Sequence, residues 1–87
     1  MRLARTERLI LSLLSTGGPS YGLQLVEASR GRLKRGGIYV TLGKMEEKGL
    51  VSSTVQDDGR RIYELKGLGH RALAAMEIMG DVRGAKS

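Results

Sequence analysis

The chain has no cysteine, no phenylalanine, no tryptophan and a single proline. Without cysteine there is no disulfide and no thiolate metal site, which fits a reducing cytoplasm. Three tyrosines are the whole aromatic complement, few for a domain that reads RNA by stacking its bases. No segment approaches the roughly 18 consecutive apolar residues of a membrane span. The apolar stretch near the start, Leu9 to Leu14, is too short for a signal-peptide core and follows Thr6-Glu7-Arg8. Neither a secreted nor a membrane protein is expected. His70 is the only histidine, and one imidazole without thiolates or clustered carboxylates makes a poor metal site. Glu46 and Glu47 are adjacent, and on a helix adjacent side chains diverge, so they read as solvent-facing charges rather than a catalytic pair. There is no Ser-His-Asp set, phosphate-cradling glycine loop or dinucleotide fingerprint. No catalytic residue, metal site or cofactor is expected, and the chain does not read as an enzyme.

What is present is positive charge. Fifteen basic residues against nine acidic ones give a net charge of +6 and a pI near 10.2 over 87 residues, a balance that favours a polyanionic partner. The distribution is uneven. Arg30, Arg32, Lys34, Arg35 and Lys44 fall between Ala28 and Met45 with no acidic residue among them. Such a run is either a solvated loop or a phosphate-binding surface. Its place before a helical pattern favours the second.

That pattern is Ile38, Leu42 and Met45, a single apolar helical stripe. It predicts a third helix from about Gly37 to Lys48, stopped by Gly49. Two earlier helices are predicted. The first spans about Ala4 to Ser15, with Leu9, Ile10, Leu13 and Leu14 inward, a cap at Thr6 or just before it, and a break at Gly17-Gly18-Pro19. The second spans about Tyr21 to Ser29, capped by Ser20, with Leu23, Val26 and Leu25 toward the core. Close packing against another helix is the preferred reason for Gly22. After the third helix, residues 51–56 and 60–65 have strand composition around the turn signal Asp57-Asp58-Gly59. Two short strands need helices to lie against. A last helix is predicted from Leu68 to Met79, ended by Gly80. The fold class is mainly α with a small β-hairpin, a winged helix-turn-helix in the order α-α-α-β-β-α. One domain covers residues 1–80, followed by a frayed tail at 81–87.

Three stretches carry a resemblance to a known family. They are Tyr21-Gly22-Leu23-Gln24-Leu25; Gly37-Ile38-Tyr39-Val40-Thr41-Leu42 with Met45-Glu46-Glu47-Lys48-Gly49-Leu50-Val51; and Arg61-Ile62-Tyr63-Glu64-Leu65 with Gly69-His70-Arg71-Ala72-Leu73. In order and spacing they resemble the PadR-like winged-helix transcriptional regulators. The resemblance implies a dimeric, operator-binding repressor or local regulator. It implies that the third helix enters the major groove and that the wing touches the flanking minor groove. Two departures stand out. Leu65-Lys66-Gly67 replaces the Leu-Thr cap of the fourth helix, and only seven residues follow Gly80 where members usually carry a long C-terminal helix. A small-molecule effector is therefore doubtful, and a dimer is expected to use the first and last helices.

The DNA-binding residues expected on this basis are Ser20, Tyr21, Lys34, Arg35, Gly37, Tyr39, Thr41, Lys44, Arg60 and Arg61. Lys34 reaches a phosphate, and Arg35 either a phosphate or a guanine edge. Gly36-Gly37 is either a helix start open to a phosphate or a plain linker. Thr41 and Lys44 share a side of the helix and suit base or phosphate contact. Tyr39 packs its ring on the second helix and offers its hydroxyl to a phosphate, and Tyr21 lies near a helix start. An arginine of the Arg60-Arg61 pair suits a narrow minor groove. The expected dimer interface is Leu3, Leu11, Leu73, Met76 and Met79. The expected partners are a second copy and double-stranded DNA bearing an inverted repeat. The rival reading is a winged helix that docks another protein without specific DNA binding.

Overall fold

A computed structural model describes the backbone of residues 3–86 and the side chains of residues 3–76. Helix α1 runs Arg5–Gly17, strand β1 Ser20–Tyr21, helix α2 Gly22–Ala28, helix α3 Arg35–Glu47, strand β2 Val51–Val55, strand β3 Arg61–Leu65 and helix α4 Gly67–Lys86. The predicted order of helices and hairpin holds, with one strand added. β1 pairs antiparallel with β3, which pairs antiparallel with β2, in the order β1-β3-β2. No helix is long and apolar enough to cross a membrane among the described residues.

Ala4 precedes α1 in an extended conformation, and its N–H donates to Glu7 Oε1 at 2.9 Å. The acceptor at this helix start is thus a carboxylate one turn inside the helix, not Thr6. Gly18 ends α1 at φ 76 and donates to the Leu14 carbonyl. Ser20 does not cap α2. Its backbone pairs with Tyr63 in the sheet, and its hydroxyl donates to the Gly18 carbonyl at 2.9 Å. The cap residue is Tyr21, whose N–H donates to Gln24 Oε1 at 2.8 Å. The sheet takes Ser20 because β3 supplies backbone partners that a local helix start would leave to water.

Leu25 is the buried apolar residue of α2, whereas Leu23 is 44% exposed, against expectation. The α2–α3 connector also holds a core residue. Buried Ser29 accepts the Leu33 N–H at 2.9 Å and donates to the Val26 carbonyl at 2.7 Å, and Leu33 is buried beside it. Helix α3 then begins at Arg35, two residues before the predicted start, with extended Lys34 as its cap. It ends in a Schellman motif: Leu50 N–H donates to the Met45 carbonyl and Gly49 N–H to the Glu46 carbonyl, with Gly49 at φ 79.

Ile38, Leu42 and Met45 point into one core with Ile10, Leu11 and Leu14 of α1, Leu50, Val51, Tyr63 and Leu73. Leu11 and Leu73, expected at a dimer interface, are 0% and 6% exposed within the single chain. The protein's own core already uses them. The wing grades outward from that core. Val51 is buried at the base of β2, and Val55 is exposed at its tip. Helix α4 continues through Gly80 to Lys86 instead of stopping at Gly80. The expected interface residue Met79 lies outside the described side chains.

Candidate nucleic-acid interface

Helix α3 buries one stripe and offers the rest of its surface. With Ile38, Leu42 and Met45 inward, Lys34, Arg35, Gly37 and Lys44 are exposed, as are Tyr39 and Val40. Nothing lies within 4 Å of where a side chain on Gly36 or Gly37 would begin. The chain's own packing does not require this glycine pair, and the start of α3 is open to approach. Thr41 is half-buried, and its hydroxyl donates back to the Gly37 carbonyl at 3.1 Å, leaving its lone pairs as acceptors. Lys44 lies near the C-terminal end of α3, close enough to Glu7 to help keep that carboxylate ionised.

The second group of expected residues meets across the sheet. Tyr21, Tyr39, Arg60 and Arg61 line a cleft of about 720 Å³ between α2, α3 and the wing. Tyr63 lines it too, so all three tyrosines of the chain converge there. Leu23, Gln24, Glu27 and Gly59 complete the walls. Gly22 makes the closeness possible: a Cβ on it would fall 2.7 Å from Tyr39 Cε1. The expected packing of Tyr39 on α2 is therefore present. Ser20 sits half-buried in β1, outside the cleft lining.

Each wing arginine is held. Arg60 Nε donates to Asp58 Oδ2 at 2.7 Å, and the Arg60 N–H donates to Asp58 Oδ1 at 3.0 Å. The Arg60 guanidinium carbon stands 4.2 Å from the centre of the Tyr21 ring, within cation–π range. The N–H and guanidinium of Arg60 lower the Asp58 pKa, and the hydrogen bond that Arg60 donates to Asp58 raises that of Arg60. Arg61 Nη1 donates to Ser53 Oγ at 3.0 Å, and the Ser53 hydroxyl donates to Glu46 Oε2 at 2.8 Å. That relay ties the wing to the end of α3. Burial raises the Tyr63 pKa, opposed by the charge of Arg61, so its hydroxyl stays a neutral donor.

Sequence reasoning missed Tyr63, Gln24 and Ser53 as parts of this surface. The strand alternation that sets Tyr63 beside Arg61 was visible. The link to Tyr21 required β1, which is too short to read from pattern. One ion pair was missed altogether. Lys48 Nζ donates to Glu7 Oε2 at 2.7 Å, joining α1 to the residue that follows α3. No group of three or more potential metal-ligating side chains occurs among the described residues.

A family model described as the transcriptional regulator PadR-like family matches residues 10–75, from α1 into α4. The chain belongs to this family. Its PadR-like fold recurs in solved structures. A PadR family transcription regulator from Clostridium difficile R20291 superposes with a TM-score of 0.76 at 28% identity, covering 95% of this chain and 92% of that one. The protein smu.1704 from Streptococcus mutans UA159 gives a TM-score of 0.74 at 28% identity, covering 90% and 77%. RosR of H. salinarum, at 24% identity and a TM-score of 0.82 over 93% and 76% of the two chains, shares the fold. No curated protein sequence matches. PadR-like proteins are transcriptional regulators, and the winged-helix architecture expected from the sequence is the one these neighbours share.

Proposed function

We propose that this PadR-like protein is a sequence-specific DNA-binding repressor that acts in the cytoplasm as a homodimer and occludes a promoter. One observation carries the reading. The exposed side of α3, bearing Lys34, Arg35, Tyr39, Val40 and Lys44, continues across the tyrosine-lined cleft to Arg60 and Arg61 of the wing. A helix of this exposure fits the major groove, and a wing beside it reaches the neighbouring minor groove. Lys34 and Tyr39 serve as phosphate contacts that set register, Arg35 and Thr41 as readers of base edges, and Lys44 as a phosphate contact toward the far end of the helix. Tyr21 and one wing arginine hold the flanking backbone, with Gly37 admitting it closely and Ser20 nearby.

The dimer would pair partly exposed apolar side chains of α1, of the segment just before it, and of α4. Leu3, Leu9, Leu13 and Met76 pack against the core without being enclosed by it. Two copies related by a twofold axis would place their α3 helices about one helical turn apart, roughly 34 Å, on an inverted repeat.

Selection of bound duplexes from a random pool tests this reading. Enrichment of an inverted repeat with half-sites about one turn apart is the expected result. A bound pool with the composition of the input would overturn sequence-specific recognition.

A further inference from the structure

We propose that Asp58 is a specificity-determining residue of the DNA interface, which occupies Arg60 against Tyr21 and so withholds it from generic phosphate. The inference rests on the DNA-binding reading and goes beyond it, because it assigns a function to an acidic residue on a surface that must meet a polyanion.

Asp58 meets Arg60 through both carboxylate oxygens. Oδ1 accepts the backbone N–H at 3.0 Å and Oδ2 accepts Nε at 2.7 Å. The Tyr21 ring lies against the guanidinium, with 4.2 Å between the guanidinium carbon and the ring centre. These contacts leave the terminal nitrogens as the free edge of the guanidinium. Both charged side chains are well exposed, at 64% for Arg60 and 48% for Asp58. An exposed pair of this kind holds weakly. It therefore yields to a stronger anionic site but competes with a weak one.

That difference separates two kinds of DNA. Generic binding comes from neutralising phosphates and releasing their counterions. An arginine already neutralised by Asp58 adds little to that sum, and the carboxylate beside it repels any phosphate that comes near. A narrow minor groove concentrates negative potential and favours an inserted arginine. There Arg60 leaves Asp58, or presents its free edge while Asp58 and Tyr21 fix its direction. Asp58 thus lowers affinity for wrong DNA more than for the right site.

The test measures affinity for selected operator DNA and for scrambled DNA across a salt series, using the full chain. Asp58→Asn keeps an oxygen for the Arg60 N–H and so preserves the turn. Asp57→Asn changes net charge equally, one residue farther along the chain from Arg60 than Asp58, and serves as the control. Asp58→Asn should tighten scrambled DNA by about two- to fivefold, the worth of one exposed ion pair. It should also steepen that salt dependence by about 0.9, one added phosphate contact. The operator-to-scrambled ratio should fall. Asp57→Asn should leave the ratio unchanged, and Asp58→Asn should lose its effect on the ratio in an Arg60→Gln background. An unchanged ratio in Asp58→Asn, or the same change in Asp57→Asn, overturns the inference while leaving DNA recognition standing. A wild-type protein that binds neither DNA removes the DNA reading and this inference with it.

Discussion

Gly22 at the start of α2 lies so close to Tyr39 of α3 that a Cβ there would sit 2.7 Å from the tyrosine's Cε1. The neighbour is the far part of a ring that is 50% exposed, so the ring can swing away. In Gly22→Ala the better helix propensity, up to about 1 kcal/mol, offsets the cost of that shift. Thermal unfolding should therefore change little, within about 1 kcal/mol. DNA affinity should drop because Tyr39 no longer stands where it meets the backbone. Anisotropy and calorimetry on the same variant check the separation. A large loss of stability with unchanged affinity would make Tyr39 a packing residue alone.

Gly69 and Gly43 should respond in opposite directions. A side chain on Gly69 would collide with the Leu50 carbonyl, which already accepts the Lys66 N–H at 3.0 Å. Backbone cannot yield as a ring can, so Gly69→Ala should lose about 1–3 kcal/mol. Gly43 lies mid-helix with nothing within 4 Å of its would-be Cβ, and Gly43→Ala should gain up to about 1 kcal/mol. Urea unfolding of the two variants measures both signs.

The Glu7–Lys48 pair should make stability fall in acid. Burial raises the Glu7 pKa, but hydrogen bonds from Lys48 and the Ala4 N–H outweigh it, and the net shift is downward from 4.5. A carboxyl lowered on folding stabilises above its unfolded pKa, and that contribution is lost as pH falls through the folded one. Glu7→Gln should be less stable at neutral pH by about 1–2 kcal/mol, at the modest end because Lys48 is partly solvated. The two proteins should converge as pH drops below 4.5. A constant gap across that window would contradict the assignment.

Much of this architecture was legible because it is local. The stripe of Ile38, Leu42 and Met45, the stop at Gly49 and the Asp57-Asp58-Gly59 turn each declare themselves within a few residues, and all three occupy the expected places. The failures involve distant partners. Ser20 reads as a cap until β3 offers Tyr63 as its pair. Glu7 and Lys48 stand 41 positions apart. Leu33 hides in a basic connector because Ser29 supplies the hydrogen bonds that let the chain turn inward. The candidate site divides the same way. Its residue types were visible along α3 and the wing, whereas the meeting of Tyr21, Tyr39 and Tyr63 depends on the three-stranded sheet.

Arg35 and Lys44 should differ in the kind of binding they support. If Arg35 reads a base edge, Arg35→Ala should cost about 1–3 kcal/mol on the operator and relax preference at one position. Lys44→Ala should weaken operator and scrambled DNA alike and reduce the salt slope by about 1. Binding isotherms on both DNAs at several salt concentrations separate the two. An unchanged operator affinity for Arg35→Ala would move the base contact to another residue.

Fluorescence anisotropy with the DNA directly upstream of the protein's own coding region, compared with scrambled DNA of equal length over a salt series, tests DNA recognition most directly. Tighter binding to the upstream sequence, with a steep loss of affinity for both DNAs as salt rises, is the expected result. Absence of binding to either DNA at low salt would contradict it.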